Sequence, residues 1–298
     1  MKDYGINGYR TTSKPITGVI VRPEGFIVNE VPGDYGLGDQ THFTLKKTNW
    51  NTIDAIKEIA KRLYVNAGRF SYAGLKDKNA ITTQRVSAFK VPAGKLKALS
   101  INGLELTDFT EGKERISLGS HKGNEFIITI SNVLNAGEFK EFSRQAAKGL
   151  PNFFGPQRFG NNHLIGRALI EGDYRTACEL SHEQKINNYL KKKPGDYINA
   201  LRIVDKRIRL LWVNALQAYD WNKELSKNII SPPESIKIKS YPMIPEMPEL
   251  HDFAGGLRKS LMIPKGLTGE LFNDSLRIKF SLEKGSYATI LLMELMKE

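Results

Sequence analysis

The hydrophobic period changes twice along this chain, and that constrains its fold more than any other feature. TGVIVR, FIVNEVP and HFTLK alternate or cluster β-branched and aromatic residues between glycine and proline punctuation, as strands do. From Asn51 the period lengthens. Ile53, Ile56, Ala60 and Leu63 fall three or four apart while Lys57, Lys61 and Arg62 fall elsewhere, which predicts an amphipathic helix to about Tyr64 with Asn51 or Thr52 as N-cap. Strand-like segments recur over residues 84–91, 104–109 and 125–130, and a helix is expected over 136–148. After Gly160 the pattern is mostly helical, with apolar residues at helical spacing over 165–180 and 210–225. Pro232, Pro233, Pro242, Pro245 and Pro248 then mark a long connection. Strand character returns in LRIKFSL, and ATILLMELMK closes the sequence as a helix. Strands near both ends with helices between them predict a β-rich domain interrupted by a helical insertion.

A chain of 298 residues suits two domains, and 40% hydrophobic with 26% charged residues is the balance of a globular protein. Lysine and arginine number 44 against 32 acidic residues, a formal charge of +12. Such an excess favours a polyanionic partner, nucleic acid first, or serves only solubility; charge alone does not choose. The basic stretch between the two helical segments, with Lys191, Lys192, Lys193, Arg202, Lys206, Arg207 and Arg209, reads as a solvated charged face, the usual meaning of one such run. Cys178 is the only cysteine, so an intrachain disulfide is excluded and a reducing compartment is expected. MKDYGINGYR lacks a signal-peptide apolar core, and no run approaches the ~20 apolar residues of a membrane span. The expectation is a soluble, cytoplasmic protein.

The chemistry concentrates in SYAGLKDKNAITTQ, residues 71–84. Gly74 permits a close backbone approach, and Lys76 and Lys78 bracket Asp77, favouring its ionised carboxylate. Such a carboxylate can be a nucleophile, a general base or a metal ligand. No second carboxylate, histidine or cysteine stands at ligand spacing, so a metal is not expected. Taken alone, Lys-Asp-Lys is most often a solvated turn.

GLKDKNAITTQ resembles the signature of the TruD family of pseudouridine synthases, Gly-x-Lys-Asp-x-x-Ala-x-Thr-x-Gln, through Gly74, Lys76, Asp77, Ala80, Thr82 and Gln84. LGSHKGNEF is similar to the family's second segment at Gly123, Asn124 and Phe126. PNFFGPQRFG is similar to the third at Asn152, Phe154, Gly155, Gln157, Arg158, Phe159 and Gly160. GSYAT supplies Tyr287 at the position of a family aromatic, and WVNALQAYDWN resembles a helix of the family's inserted domain. Near the start, Pro23, Glu24, Phe26, Val28 and Glu30 follow the family's pattern, with Gly25 replacing an aspartate. Arg22 is the nearest basic residue to a lysine the family places before that proline.

The resemblance implies an α+β fold: a pseudouridine-synthase catalytic core with a mixed, mostly antiparallel sheet, plus an inserted, mostly helical TRUD domain. On that pattern residues 1–157 and 256–298 form the core and 158–255 the insertion. It further implies a tRNA substrate with the uridine at position 13 of the D arm as target, no cofactor and no metal; a monomer is the default. Asp77 would be the catalytic nucleophile. Phe126 and Tyr287 would stack the extruded base, and Asn124 would hold Asp77 or the uracil edge. Phe26 would join them in substrate binding, with Lys47, Lys76, Lys78 and Arg158 as phosphate or carboxylate partners. Breaking the bond from ribose C1′ to uracil N1 and rejoining C1′ to C5 changes no oxidation state, which suits a site without cofactor motifs. From the residues alone, Phe126 is an ordinary strand residue and Asn124 a polar strand start. Two other readings stay open: a tRNA-binding or folding protein without chemistry, which would not need Asp77, and a nucleosidase or glycosidase. The last would want a second catalytic carboxylate, for which only Glu30 and Glu125 are at hand.

Overall fold

The computed structural model describes residues 3–36, 38–112, 114–160, 163–251 and 253–297, which fall into two compact units. One comprises Ser13–Lys148 and Ile263–Gly285. The other comprises Gly149–Met262 with the N-terminal residues through Thr12 and the C-terminal residues from Ser286.

The first unit is built on a nine-stranded sheet. Its strands are β1 (Thr17–Ile20), β2 (Phe26–Val31), β3 (Gln40–Thr48), β4 (Phe70–Tyr72), β5 (Ile81–Ala88), β6 (Leu104–Gly112) and β7 (Gly123–Leu134). In the second unit lie β8 (Leu150–Pro151), β9 (Ser235–Ile238), β10 (Gly256–Lys259) and β11 (Leu261–Met262), before β12 (Lys265–Phe272) and β13 (Ser275–Glu283) return to the sheet. The spatial order is β12-β13-β7-β2-β5-β3-β6, with β1 also on β7 and β4 also on β5. Only the β2–β5 pair of this sheet is parallel, so it is mixed and mostly antiparallel, as the resemblance implied. A parallel pair needs a crossover, and α1 (Thr52–Arg62) lies within it. Asn51 caps α1 by accepting the Asp54 N–H at 2.8 Å, and Lys61 and Arg62 sit in the last turn where the helix dipole favours cations. Ala55, Ile56, Ile59 and Ala60 are buried against Phe43, Leu45, Val86 and Ala88 of β3 and β5. Burying Ile56 and Ile59 contributes about 1.5–3 kcal/mol each. Short α2 (Ala93–Lys97) follows β5, and α3 (Phe139–Ala146) follows β7.

The second unit carries the helices α4 (His163–Glu171), α5 (Tyr174–Ser181), α6 (Gln184–Lys192), α7 (Tyr197–Arg202), α8 (Lys206–Lys227) and α9 (Ala288–Met296). The single helix anticipated over 165–180 is two: Gly172 turns at φ +77° and Asp173 caps α5 through the Thr176 N–H. A left-handed residue ends a helix because it breaks the ladder of hydrogen bonds, and glycine adopts that conformation without strain. The proline-rich connection is largely exposed but anchored, because Ile244, Met247, Leu250 and Phe253 enter the same core as Ile165, Leu169, Trp212 and Val213. Glu294, fully buried in α9, accepts the N–H groups of Arg10 and Thr11, which fastens the N-terminal segment to the C-terminal helix. No helix among the described residues is long and apolar enough to cross a membrane.

Candidate active site

Strand register gathers four of the nine expected site residues, Phe26, Lys47, Asn124 and Phe126, on one sheet face. Lys47 of β3 lies opposite Thr82 of β5, Thr82 opposite Val28 of β2, Val28 opposite Phe126 of β7, and Phe126 opposite Phe280 of β13. One step along, Glu30 lies opposite Asn124 and Asn124 opposite Leu282. Side chains two apart on a strand share a face, so Phe26, Val28 and Glu30 continue the same surface. Phe26 is 1% exposed, and Phe126, 7% exposed, stacks on Phe280 at 5.2 Å.

The Asp77 loop lies between β4 and β5. It is held from four directions, chiefly through its backbone. Gln84 Nε2 donates to the Gly74 carbonyl at 3.1 Å. The Lys76 N–H donates to Thr52 Oγ1 at 3.0 Å, and that hydroxyl donates to Gln84 Oε1 at 2.9 Å. Lys76 Nζ pairs with Glu30 at 2.7 Å, both side chains being buried, and the other Glu30 oxygen accepts the Arg85 N–H. Lys47, 0% exposed, donates through Nζ to the carbonyls of Asp77 at 2.7 Å, Lys76 at 3.3 Å and Trp50 at 2.5 Å. None of these bonds uses the Asp77 carboxylate. Asp77 itself is half-buried, and Lys78, the next residue, is exposed.

The surrounding electrostatics are dominated by cations. Burial pushes the Lys47 ammonium down to about 8, with Asp77 opposing the shift and Lys76 adding to it. Burial also lowers the Arg22 guanidinium, and Asp77 opposes that. Arg22 donates to the Asn79 carbonyl at 2.8 Å and lies 3.7 Å above the Phe26 ring, so it braces the same loop. His121 is lowered by burial and by Lys76, with Glu30 opposing. Three buried polar atoms here have no hydrogen-bond partner among the described residues: Asn124 Oδ1, Thr82 Oγ1 and His121 Nδ1. Buried polar atoms are rarely left so, and such atoms on one face suit a polar ligand.

Arg158 and Tyr287 belong to the other unit. The turn Pro156–Arg158 brings Gly155 against Tyr287, where a Cβ would lie 2.9 Å from the ring. Asn152 accepts from Arg258 and Ser286 on Oδ1 at 2.9 and 3.1 Å, and donates to the Lys259 carbonyl. Arg258 stacks 4.1 Å over Phe154, and burial brings it down to about 10, with Tyr287 opposing and Arg158 adding. Arg158 Nε is buried without a partner among the described residues. Sequence reasoning did not single out Arg22 or His121 as site residues, nor Arg258. Each acts through contacts that no spacing rule encodes, although Arg22 stood beside the matched Pro23.

The model of the family tRNA pseudouridine synthase D (TruD) matches residues 3–181, 178–233 and 230–295 of this sequence. The chain belongs to the TruD family. TruD proteins are isomerases, and curated relatives carry that name. A "Probable tRNA pseudouridine synthase D" of Methanosarcina acetivorans is 30% identical over 281 aligned residues, 77% of this chain and 64% of that protein. The chain thus spans just under two thirds of that relative. "Probable tRNA pseudouridine synthase D 1" of Methanocaldococcus jannaschii is 28% identical, covering 98% of both chains. The crystal structure of a Methanosarcina mazei TruD superimposes with a TM-score of 0.75 at 23% identity, over 99% of this chain and 97% of that one, which establishes the TruD fold and with it the α+β class.

Proposed function

We propose that this TruD protein isomerises uridine to pseudouridine in tRNA, at position 13 of the D arm, with Asp77 as nucleophile. The observation that carries this reading is the Asp77 loop, clamped by its backbone to the sheet while its carboxylate takes no part in the clamp. A carboxylate on so fixed a backbone needs little reorganisation to meet ribose C1′, and positioning of that kind supplies up to ~7–11 kcal/mol of a barrier. The extruded uracil would find Phe126 for stacking and the unpartnered Asn124 Oδ1 for its N3–H. Phe26 would bound the pocket beneath Arg22. Lys78 is a phosphate contact in this reading; within the other unit, Arg158 is proposed as a phosphate contact and Tyr287 as an aromatic that meets RNA. Lys76 faces Glu30 and Lys47 faces backbone carbonyls, so both act on the protein side.

We assign residues 1–157 and 256–298 to the catalytic core and 158–255 to the TRUD insertion, and take the working form to be a cytoplasmic monomer without cofactor or metal. Incubation with unmodified tRNA transcripts, followed by chemical-adduct primer extension, tests the function. One new stop at position 13 with wild type, absent with an Asp77→Ala protein that still binds tRNA, is the expected result. Equal tRNA binding by both proteins with no pseudouridine on any transcript would reject it.

A further inference from the structure

We propose that Lys47 is a positioning residue for pseudouridine formation: it fixes the Asp77 carboxylate through the main chain and makes no contact with RNA. This rests on the reading of Asp77 as nucleophile. An RNA phosphate requires a cation that solvent can reach, whereas Lys47 is 0% exposed. Its three ammonium protons match three carbonyl acceptors, those of Trp50, Lys76 and Asp77. Trp50 immediately precedes the N-cap of α1, and Lys76 and Asp77 form the reactive loop. One ammonium therefore ties a strand, a helix entry and the loop at a single point. An ammonium is costly to bury without a carboxylate partner, and carbonyl oxygens offset that cost only while all three are in place. Moving the Asp77 main chain thus breaks a bond that nothing else on the face replaces.

Protonation decides how complete the clamp is. A neutral amine keeps two N–H donors for three acceptors, so one carbonyl goes unpaired. The charged groups facing Lys47 are Asp77 and Lys76, and beyond Lys76 its partner Glu30; the facing residues of β5 and β6, Thr82 and Leu104, are uncharged. With the Lys47 ammonium down at about 8, the clamp is complete at pH 7 and incomplete at pH 9.

Single-turnover rates and tRNA dissociation constants would be measured for the full-length wild type, Lys47→Met, Lys47→Arg and Asp77→Ala, with thermal unfolding of each. The expected result is a Lys47→Met rate about 100-fold below wild type, the usual consequence of a misplacement near 1 Å, with tRNA affinity changed less than about threefold. Lys47→Arg, too large for the same three acceptors but permanently charged, should recover part of the rate and lose the wild type's decline between pH 8 and 9. Should Lys47→Met not fold, the wild-type pH profile and Lys47→Arg carry the test. A tRNA affinity loss that grows at low salt, with a normal single-turnover rate at saturation, would make Lys47 a phosphate contact and overturn the proposal. So would a Lys47→Met rate within about threefold of wild type, or a wild-type rate flat from pH 7 to 9. Activity in Asp77→Ala would instead remove the reading beneath it.

Discussion

Removing Lys76 should destabilise the sheet unit far more than it weakens RNA binding. The Glu30 side chain is 0% exposed and its carboxylate has two partners, Lys76 Nζ at 2.7 Å and the Arg85 N–H at 3.1 Å. Lys76→Met keeps the length and volume of the side chain and deletes the counter-charge. It leaves a buried carboxylate with a single backbone donor. Breaking a buried pair from one side costs about 3–5 kcal/mol, because the remaining charge is neither solvated nor compensated. At ~2–4 °C per kcal/mol for a protein of this size, the melting temperature should fall by roughly 6–20 °C. The double variant Glu30→Gln with Lys76→Met removes both charges yet keeps an oxygen for the Arg85 N–H. Its remaining cost is one unpaired amide NH2 group, about 1–3 kcal/mol, so it should regain part of the loss. Differential scanning fluorimetry of wild type, Lys76→Met and the double variant at pH 7 measures this directly. A drop below about 2 °C in Lys76→Met, or a double variant no more stable than the single, would refute the account of the pair.

Other consequences follow from the same geometry. Lys78 is exposed beside Asp77, so Lys78→Met should lower the slope of log K against log salt for tRNA by about 1; Lys76→Met, whose ammonium is already paired, should leave that slope unchanged. Gly155→Ala would push a methyl to 2.9 Å from the Tyr287 ring and from Thr289 Oγ1, and should cost about 1–3 kcal/mol in urea unfolding while displacing Tyr287, whereas Gly94→Ala, with open space around it, should cost nothing comparable. The Lys47 ammonium lies lower when folded, about 8 against an ordinary 10.5, so between those values the unfolded chain binds more protons. Wild-type stability should therefore gain on Lys47→Met as pH rises from 8 to 10.5, by up to about 3 kcal/mol, with a constant difference below pH 8. Urea titrations at pH 7, 8, 9 and 10 would show it, and a flat difference would contradict it.

Where the hydrophobic period is strong, the sequence alone located the elements. Residues 26–31 and 275–283 became β2 and β13 because alternate residues in each are buried, and α1 has its polar face where the lysines fall. β12 escaped notice: KGLTGELF is mostly exposed at the sheet edge, so no apolar alternation marks it, and only pairing with β13 makes it a strand. The same division holds for the site. Asp77 and its loop were legible only because Gly74, Lys76 and Gln84 match a family signature, and each of these three now has a hydrogen bond that holds the loop. What Lys47 and Lys76 face was not legible. A lysine in sequence is a cation of unknown surroundings, and both read as phosphate or carboxylate partners without the partner being named. Only strand register and the crossover through α1 turn these two inward, one to three carbonyls and the other to Glu30, because burial and partners are properties of packing between segments far apart in the chain.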